Sequence, residues 1–174
     1  TWSQDNPLYG LYKFNAVSNI GVEAIGLNAN ILPNGGGAII GDKMYVVDYF
    51  SFFGIYASLY QFDTNTWEQI GESEPLEDLS LIATETATAE NGTIYGAFYS
   101  ADGQGLELGI ADYENKTRST IGTLSHMYVA LGITKENVLY DVAEDGGLYK
   151  IDTSTAQETL VGETGLNLLD SDGA

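Results

Sequence analysis

Short apolar runs alternate with polar turns along this chain, and the runs repeat. The stretch Leu59-Tyr60-Gln61-Phe62-Asp63-Thr64-Asn65-Thr66, closing at Ile70-Gly71, is matched by Leu148-Tyr149-Lys150-Ile151-Asp152-Thr153-Ser154-Thr155, closing at Val161-Gly162. An earlier copy reads Leu11-Tyr12-Lys13-Phe14-Asn15 and closes at Ile25-Gly26; a weaker one reads Leu108-Gly109-Ile110-Ala111-Asp112 and closes at Ile121-Gly122. Tyr60 and Phe62 fall on one side of an extended strand, Leu59 and Gln61 on the other, which is the two-residue rhythm of a sheet. Each copy therefore predicts a hairpin: an apolar strand, an Asx corner, and a second strand ending in an apolar residue and glycine. Asp and Asn suit the corner because their side chains accept hydrogen bonds from backbone amides about two residues on.

The corner residues Asn15, Asp63, Asp112 and Asp152 are separated by 48, 49 and 40 residues. A period of that size is the length of a propeller blade. Before each of the last three hairpins lies another apolar segment carrying tyrosine, around Tyr45, Tyr95 and Tyr140, with turn residues at Gly41-Asp42, Asn91-Gly92 and Glu136-Asn137. Shorter strand candidates precede those turns, within residues 37–40, 81–89 and 128–133, which brings the count to four strands per unit. No stretch sustains a 3.6-residue period between caps, so no substantial helix is expected. An immunoglobulin-like sandwich also has short strands with regular turns, but it does not ordinarily repeat one hairpin motif four times.

The expected fold is therefore all-β and β-propeller-like: about three four-stranded antiparallel blades plus an N-terminal hairpin. The units are hairpin 8–26, blades 27–71, 72–122 and 123–162, and the start of a further blade over 163–174. Leu59, Phe62, Leu148 and Ile151 are expected in the core. Closed propellers generally have at least about four blades, and an open edge offers unpaired backbone groups to another chain. A larger propeller, completed by the remainder of a longer protein or by a second chain, is the expectation. The third copy, with Gly109 and Ala111 where the others carry larger side chains, is expected to pack differently.

The pattern Leu-Tyr-x-Ile-Asp-x-x-Thr with an apolar-Gly strand end, as in residues 148–162, resembles blade repeats in secreted or lipid-anchored propeller proteins of gut-type bacteria. The resemblance implies blade architecture and a secreted, periplasmic or cell-surface location. It implies no particular activity, because such repeats carry unrelated functions.

Charge narrows the partners. Six Lys and Arg against 25 Asp and Glu give a net charge of -19, which repels a phosphate backbone and an anionic membrane surface. Nucleic acid is not expected as a partner, and neither is membrane insertion, since no apolar run approaches about 18 residues. The chain opens Thr1-Trp2 without a basic or apolar leader, so the expectation is that a leader has been removed or that the chain belongs to something longer. The sequence contains no Cys, and disulfides, thiolate metal sites and a Cys nucleophile drop out.

Catalytic signatures are missing from the motifs. Gly35-Gly36-Gly37 lacks the following Lys and helix of a phosphate loop. The lone His126 reads as structural or exposed rather than catalytic. No cofactor is expected. Calcium is the one candidate, at the acidic turns Asp102-Gly103, Glu144-Asp145-Gly146 and Asp170-Ser171-Asp172-Gly173, though none completes a recognised loop. Asn91-Gly92-Thr93 and Asn115-Lys116-Thr117 fit a glycosylation pattern and read equally as turn chemistry.

One loop breaks the pattern. The connection between second and third strands is polar in two units, Ser100 to Gly105 and Ala143 to Gly147, but in the first full unit it reads Tyr49-Phe50-Ser51-Phe52-Phe53-Gly54-Ile55-Tyr56. That many aromatics at a hairpin tip exposes an apolar patch unless something covers it. The acidic link Glu72-Ser73-Glu74-Pro75-Leu76-Glu77-Asp78 belongs on the same face. Phe50, Phe52, Phe53, Tyr56, Glu74 and Asp78 are accordingly the candidate ligand-binding residues, for a glycan, a small molecule or a partner protein. A non-catalytic binding module is the favoured reading. The alternatives are a propeller-type carbohydrate-active enzyme using loop carboxylates, and a purely structural segment of a multi-domain protein.

Overall fold

A computed structural model describes residues 11–14, 22–26, 36–50 and 55–165. A two-stranded antiparallel ribbon comes first, β1 (Leu11–Phe14) with β2 (Val22–Gly26). Three four-stranded antiparallel sheets follow in chain order. The first holds β3 (Gly37–Ile40), β4 (Lys43–Phe50), β5 (Tyr56–Asp63) and β6 (Glu74–Pro75). The second holds β7 (Ala83–Thr88), β8 (Ile94–Tyr99), β9 (Leu106–Asp112) and β10 (Thr117–Leu124). The third holds β11 (Tyr128–Ile133), β12 (Leu139–Ala143), β13 (Gly147–Ile151) and β14 (Glu158–Glu163). Each sheet pairs its strands in sequence order, so each is a meander. The helical content of the described residues is one 3-10 turn, Leu79–Leu81.

The register makes the repeat literal. Tyr45 pairs with Gln61, Tyr95 with Ile110 and Tyr140 with Lys150, in each case two residues before the Asp that opens the next turn. Those aspartates do the expected work. Asp63 Oδ1 accepts the amides of Asn65 and Thr66 at 2.7 and 3.0 Å, and Asp152 Oδ1 those of Ser154 and Thr155 at 2.8 and 3.0 Å. Asp112 Oδ1 takes the amide of Asn115 at 2.9 Å. Four residues after each Asp the backbone turns left-handed, at Trp67, Lys116 and Ala156, with φ of 59°, 54° and 61°. A left-handed residue after a tight turn matches the twist of the flanking strands, and its recurrence at one offset shows three copies of one loop.

Apolar layers lie between successive sheets. Tyr45, Val47 and Leu59 of the first sheet meet Ile94, Phe98 and Tyr113 of the second. Leu106 and Leu108 of the second meet Tyr128, Leu139 and Ile151 of the third. Burying a side chain of this size stabilises by about 1.5–3 kcal/mol each. Leu59, Phe62 and Ile151 are buried as expected, but Leu148 is only half-buried. The reason is positional: Leu148 is the counterpart of Leu59 and Leu108, which face the sheet that follows, and among the described residues no sheet follows the third.

The small residues of the second sheet have their own logic. A Cβ on Gly96 would lie 2.7 Å from the Phe98 ring, and one on Gly109 would lie 3.2 Å from it. The two glycines clear a bed for that ring, which is fully buried.

Candidate functional site

Strand direction sorts the connections into two ends. The turns between first and second strands, and between third and fourth, lie at one end; call it the turn face. The β4–β5, β8–β9 and β12–β13 hairpins lie at the other with the links between sheets, residues 76–82 and 125–127. This connection face is where the sequence placed its candidate residues.

Tyr56 pairs with Phe50 at the mouth of the β4–β5 hairpin. Its side chain is 68% exposed and that of neighbouring Ile55 is 53% exposed. Phe52 and Phe53 lie outside the described residues, and so does the Asp170–Gly173 turn. Leu76 donates its amide to the Ala57 carbonyl at 2.9 Å, so the acidic link runs beside the base of the aromatic hairpin. The structure thus brings Tyr56 and the link to one end of one sheet.

Both candidate acids have structural partners. Glu74 forms a surface ion pair with Lys116 of the β9–β10 turn, which draws its carboxylate toward the turn face, an interaction of at most about 1 kcal/mol. Asp78 caps the 3-10 turn, accepting the Ser80 amide at 2.9 Å. Hydrogen bonds from the Ser80 side chain and amide, then the Arg118 charge, hold its carboxyl below the ordinary range. Arg118 donates to the Ser80 carbonyl at 3.1 Å and pairs with Glu107, tying the link to the second sheet.

Beside the β8–β9 hairpin, on the same face, lies an open cavity of about 410 Å³. Ser100, Asp102, Gln104, Glu107 and Thr123 supply its polar lining, with Leu124 as the main apolar wall. Asp102 and Asp145 accept the amides of Gln104 and Gly147, at 3.0 and 2.8 Å, within their own turns. Among the described residues no group of three or more His, Asp and Glu side chains is placed to hold a metal ion.

A polar cluster between the second and third sheets escaped the sequence reading. His126, on the link, lies with Nδ1 3.4 Å from Glu158 Oε1, and its ring sits 4.2 Å from that of Tyr149. Burial pushes the Glu158 carboxyl up, but hydrogen bonds from Tyr128, Ser125 and His126 outweigh it and hold it below its ordinary value. Burial and the Glu158 contact push the Tyr128 phenol well up. Beneath them Asp141 is 1% exposed, with Oδ2 unpartnered and Oδ1 accepting the Ala130 amide at 3.3 Å. Burial, then the charges of Glu85 and Glu158, raise its pKa to about 8 against the effect of two backbone hydrogen bonds. A signal for it existed: Asp141 occupies the place that Val46 and Gly96 hold in the sibling repeats.

Three successive meanders packed face to face through apolar layers, with inner strand β7 beside both β3 and β11, define the architecture. The fold is that of a β-propeller. No family model matches the sequence, and no curated protein does. Solved structures do. TolB from Acinetobacter baumannii matches with a TM-score of 0.55 over 84% of this chain at 16% identity. A Bacteroides thetaiotaomicron protein of unknown function matches with 0.52 over 75% at 12%, and a Xanthomonas campestris gluconolactonase with 0.51 over 74% at 12%. At these identities the likeness concerns the propeller fold alone. The chain spans 36%, 32% and 46% of the lengths of those three structures. Its sheets can now be named blades. Among the described residues no helix is long and apolar enough to cross a membrane.

Proposed function

We propose that this propeller segment is a binding or interaction module, non-catalytic, which meets its ligand or partner at the connection face. One observation carries the reading: of the nine large apolar side chains left exposed among the described residues, five (Ile55, Tyr56, Leu79, Tyr99 and Met127) lie at that face, and Tyr56, at 68%, is the most exposed of the nine. They come from the first two blades and from both links between blades. Exposed apolar side chains gathered at one end of a protein mark an interaction surface. Tyr56 is its described aromatic member, Phe50, Phe52 and Phe53 are assigned to it from the sequence, and Asp78 lies at its border, whereas Glu74 is drawn toward Lys116.

A glycan or other polyhydroxylated small molecule suits this surface best. Tyrosine and phenylalanine rings offer flat apolar area to a sugar face, and the neighbouring cleft supplies hydroxyl, amide and carboxylate groups for its hydroxyls. An enzyme working through loop carboxylates is less well supported, because Glu74, Asp78, Asp102 and Asp145 are each engaged in an ion pair, a cap or a turn. The secreted, periplasmic or surface location rests on the resemblance of the blade repeat. Completion of the propeller by further chain, or by a second chain, is supported by the half-buried state of Leu148, whose counterparts Leu59 and Leu108 are covered by the sheet that follows them.

A glycan array followed by calorimetry on any hit tests the reading. Tyr56→Ser should weaken binding about tenfold or more, as loss of an aromatic anchor does, while Ile70→Ser on the turn face should not. Equal effects of the two, or an array without a hit and no protein partner, would overturn it.

A further inference from the structure

We propose that the seam between the second and third blades is a proton-operated joint, docked while Asp141 carries its proton and loosened when that proton is lost. Asp141 stands on β12 at the position of Val46 in the first blade and Gly96 in the second, and it is 1% exposed. Its siblings carry no charge there, so the carboxyl is not a requirement of blade architecture.

The charges that act on it most strongly are those of two other carboxylates. Glu85 approaches from β7 of the preceding blade and Glu158 from β14. The neutral groups around it are Tyr149, its cross-strand partner on β13, Tyr128 on β11, and the Ala130 amide. Tyr128 and Ser125 commit their hydrogen bonds to Glu158, which keeps that carboxyl ionised. Oδ2 of Asp141 meets no donor. As a neutral acid this group is tolerable in the layer; as an anion it is a buried charge met by the amides of Ala130 and Val142 but by no cation, facing two more carboxyls, and such a charge is destabilising. The strain would fall where β7 packs beside β11, beneath the link that carries His126 and Met127.

The sign follows from linkage. The folded-state value stands near 8 and the ordinary one at 3.8, so the folded chain holds a proton that the unfolded chain has released. Stability from this group is full below about pH 4 and is lost as pH rises toward about 8.

Urea unfolding of the 174-residue chain across that range, beside Asp141→Asn, tests the joint. Asn keeps the shape and cannot ionise. Wild type should lose up to about tenfold in its folding equilibrium constant per pH unit between about pH 5 and 8 relative to the variant. Exchange of the Ala130 amide should rise with pH faster in wild type than in the variant. Parallel profiles would overturn the proposal. If the variant does not fold, carboxyl-carbon NMR of the wild type decides: an Asp midpoint near 8 supports the joint, and midpoints all below about 5 sink it. Abolition of the wild-type slope by millimolar Ca²⁺ would also overturn it, since a cation would then be meeting Asp141.

Discussion

The guanidinium carbon of Arg118 stands 4.9 Å from the centre of the Phe98 ring. The ring lies on a bed cleared by Gly96 and Gly109, and Arg118 reaches past it to Glu107, the Ser80 carbonyl and the Tyr99 carbonyl. One mostly buried cation thus fastens β10, β9, the end of β8 and the link from the first blade.

Arg118→Ala should therefore cost about 2–4 kcal/mol, since it leaves Glu107 without its partner and removes the cation from the ring. Arg118→Lys should recover only part of the loss, because a single ammonium cannot serve carbonyls and carboxylate in the geometry of the guanidinium fork. Chemical unfolding of both variants provides the comparison. Full recovery with Lys would mean that charge alone matters.

Tyr113 offers the opposite case. Its ring stacks on Tyr45 with centroids 6.0 Å apart, and its buried hydroxyl has no partner. Burial alone pushes that phenol well above its ordinary value. Tyr113→Phe keeps the stack and removes the orphaned donor, so it should be neutral or stabilise by about 1 kcal/mol. A melting temperature lowered by several degrees would show that the hydroxyl has a partner in solution, such as a trapped water.

Much of this was legible in the sequence because strands and turns are local. Tyr45, Tyr95 and Tyr140 could be aligned from spacing alone, and the Asx corners at Asp63, Asp112 and Asp152 declare their own chemistry. What depends on the neighbouring blade was not legible. Leu148 matches Leu59 letter for letter, yet only Leu59 has a sheet packed over it; Leu148→Ala should accordingly cost about 1 kcal/mol rather than the 2–5 of a fully buried site. Gly109 reads as a weak repeat until the Phe98 ring is seen above it. The partners of His126 sit 32 residues away in Glu158, across a strand pairing that composition does not reveal. Of the binding candidates, the sequence located the hairpin and the link at one end, while the ion pair of Glu74 and the cap of Asp78 needed coordinates.

The repeated turns set the acid limb of stability. Hydrogen bonds from the Ser154 side chain and amide, and from Thr155, lower the Asp152 pKa to about 2, and Asp63 and Asp112 are held low by their own turn amides and side chains. A carboxyl lower in the folded than in the unfolded state contributes stability above its ordinary value of 3.8, and this is lost as pH falls toward about 2. Asp152→Asn should flatten the fall between about pH 4 and 2 and lower the melting temperature at neutral pH. Melting curves at several acid pH values report it. A variant that tracks wild type throughout would show that the turn amides are as well served by water.

The aromatic hairpin is the test of what the protein is for. Of the three hairpins between second and third strands, β8–β9 and β12–β13 are polar and end in Gly105 and Gly147; β4–β5 carries Phe50, Phe52, Phe53 and Tyr56. Aromatic side chains supply large contact area, and Tyr56 stands mostly in water, so its ring contributes little to the blade that carries it. If a ligand or partner chain covers this hairpin, Phe52→Ser with Phe53→Ser should weaken binding by several kcal/mol, as truncation of aromatic anchors does, while the melting temperature holds nearly constant. If the hairpin is instead a lid on its own propeller, the double variant should melt lower and bind as before. Since one surface cannot be both the free anchor and the internal cover, a titration and a melting curve on the same preparation separate recognition from packing.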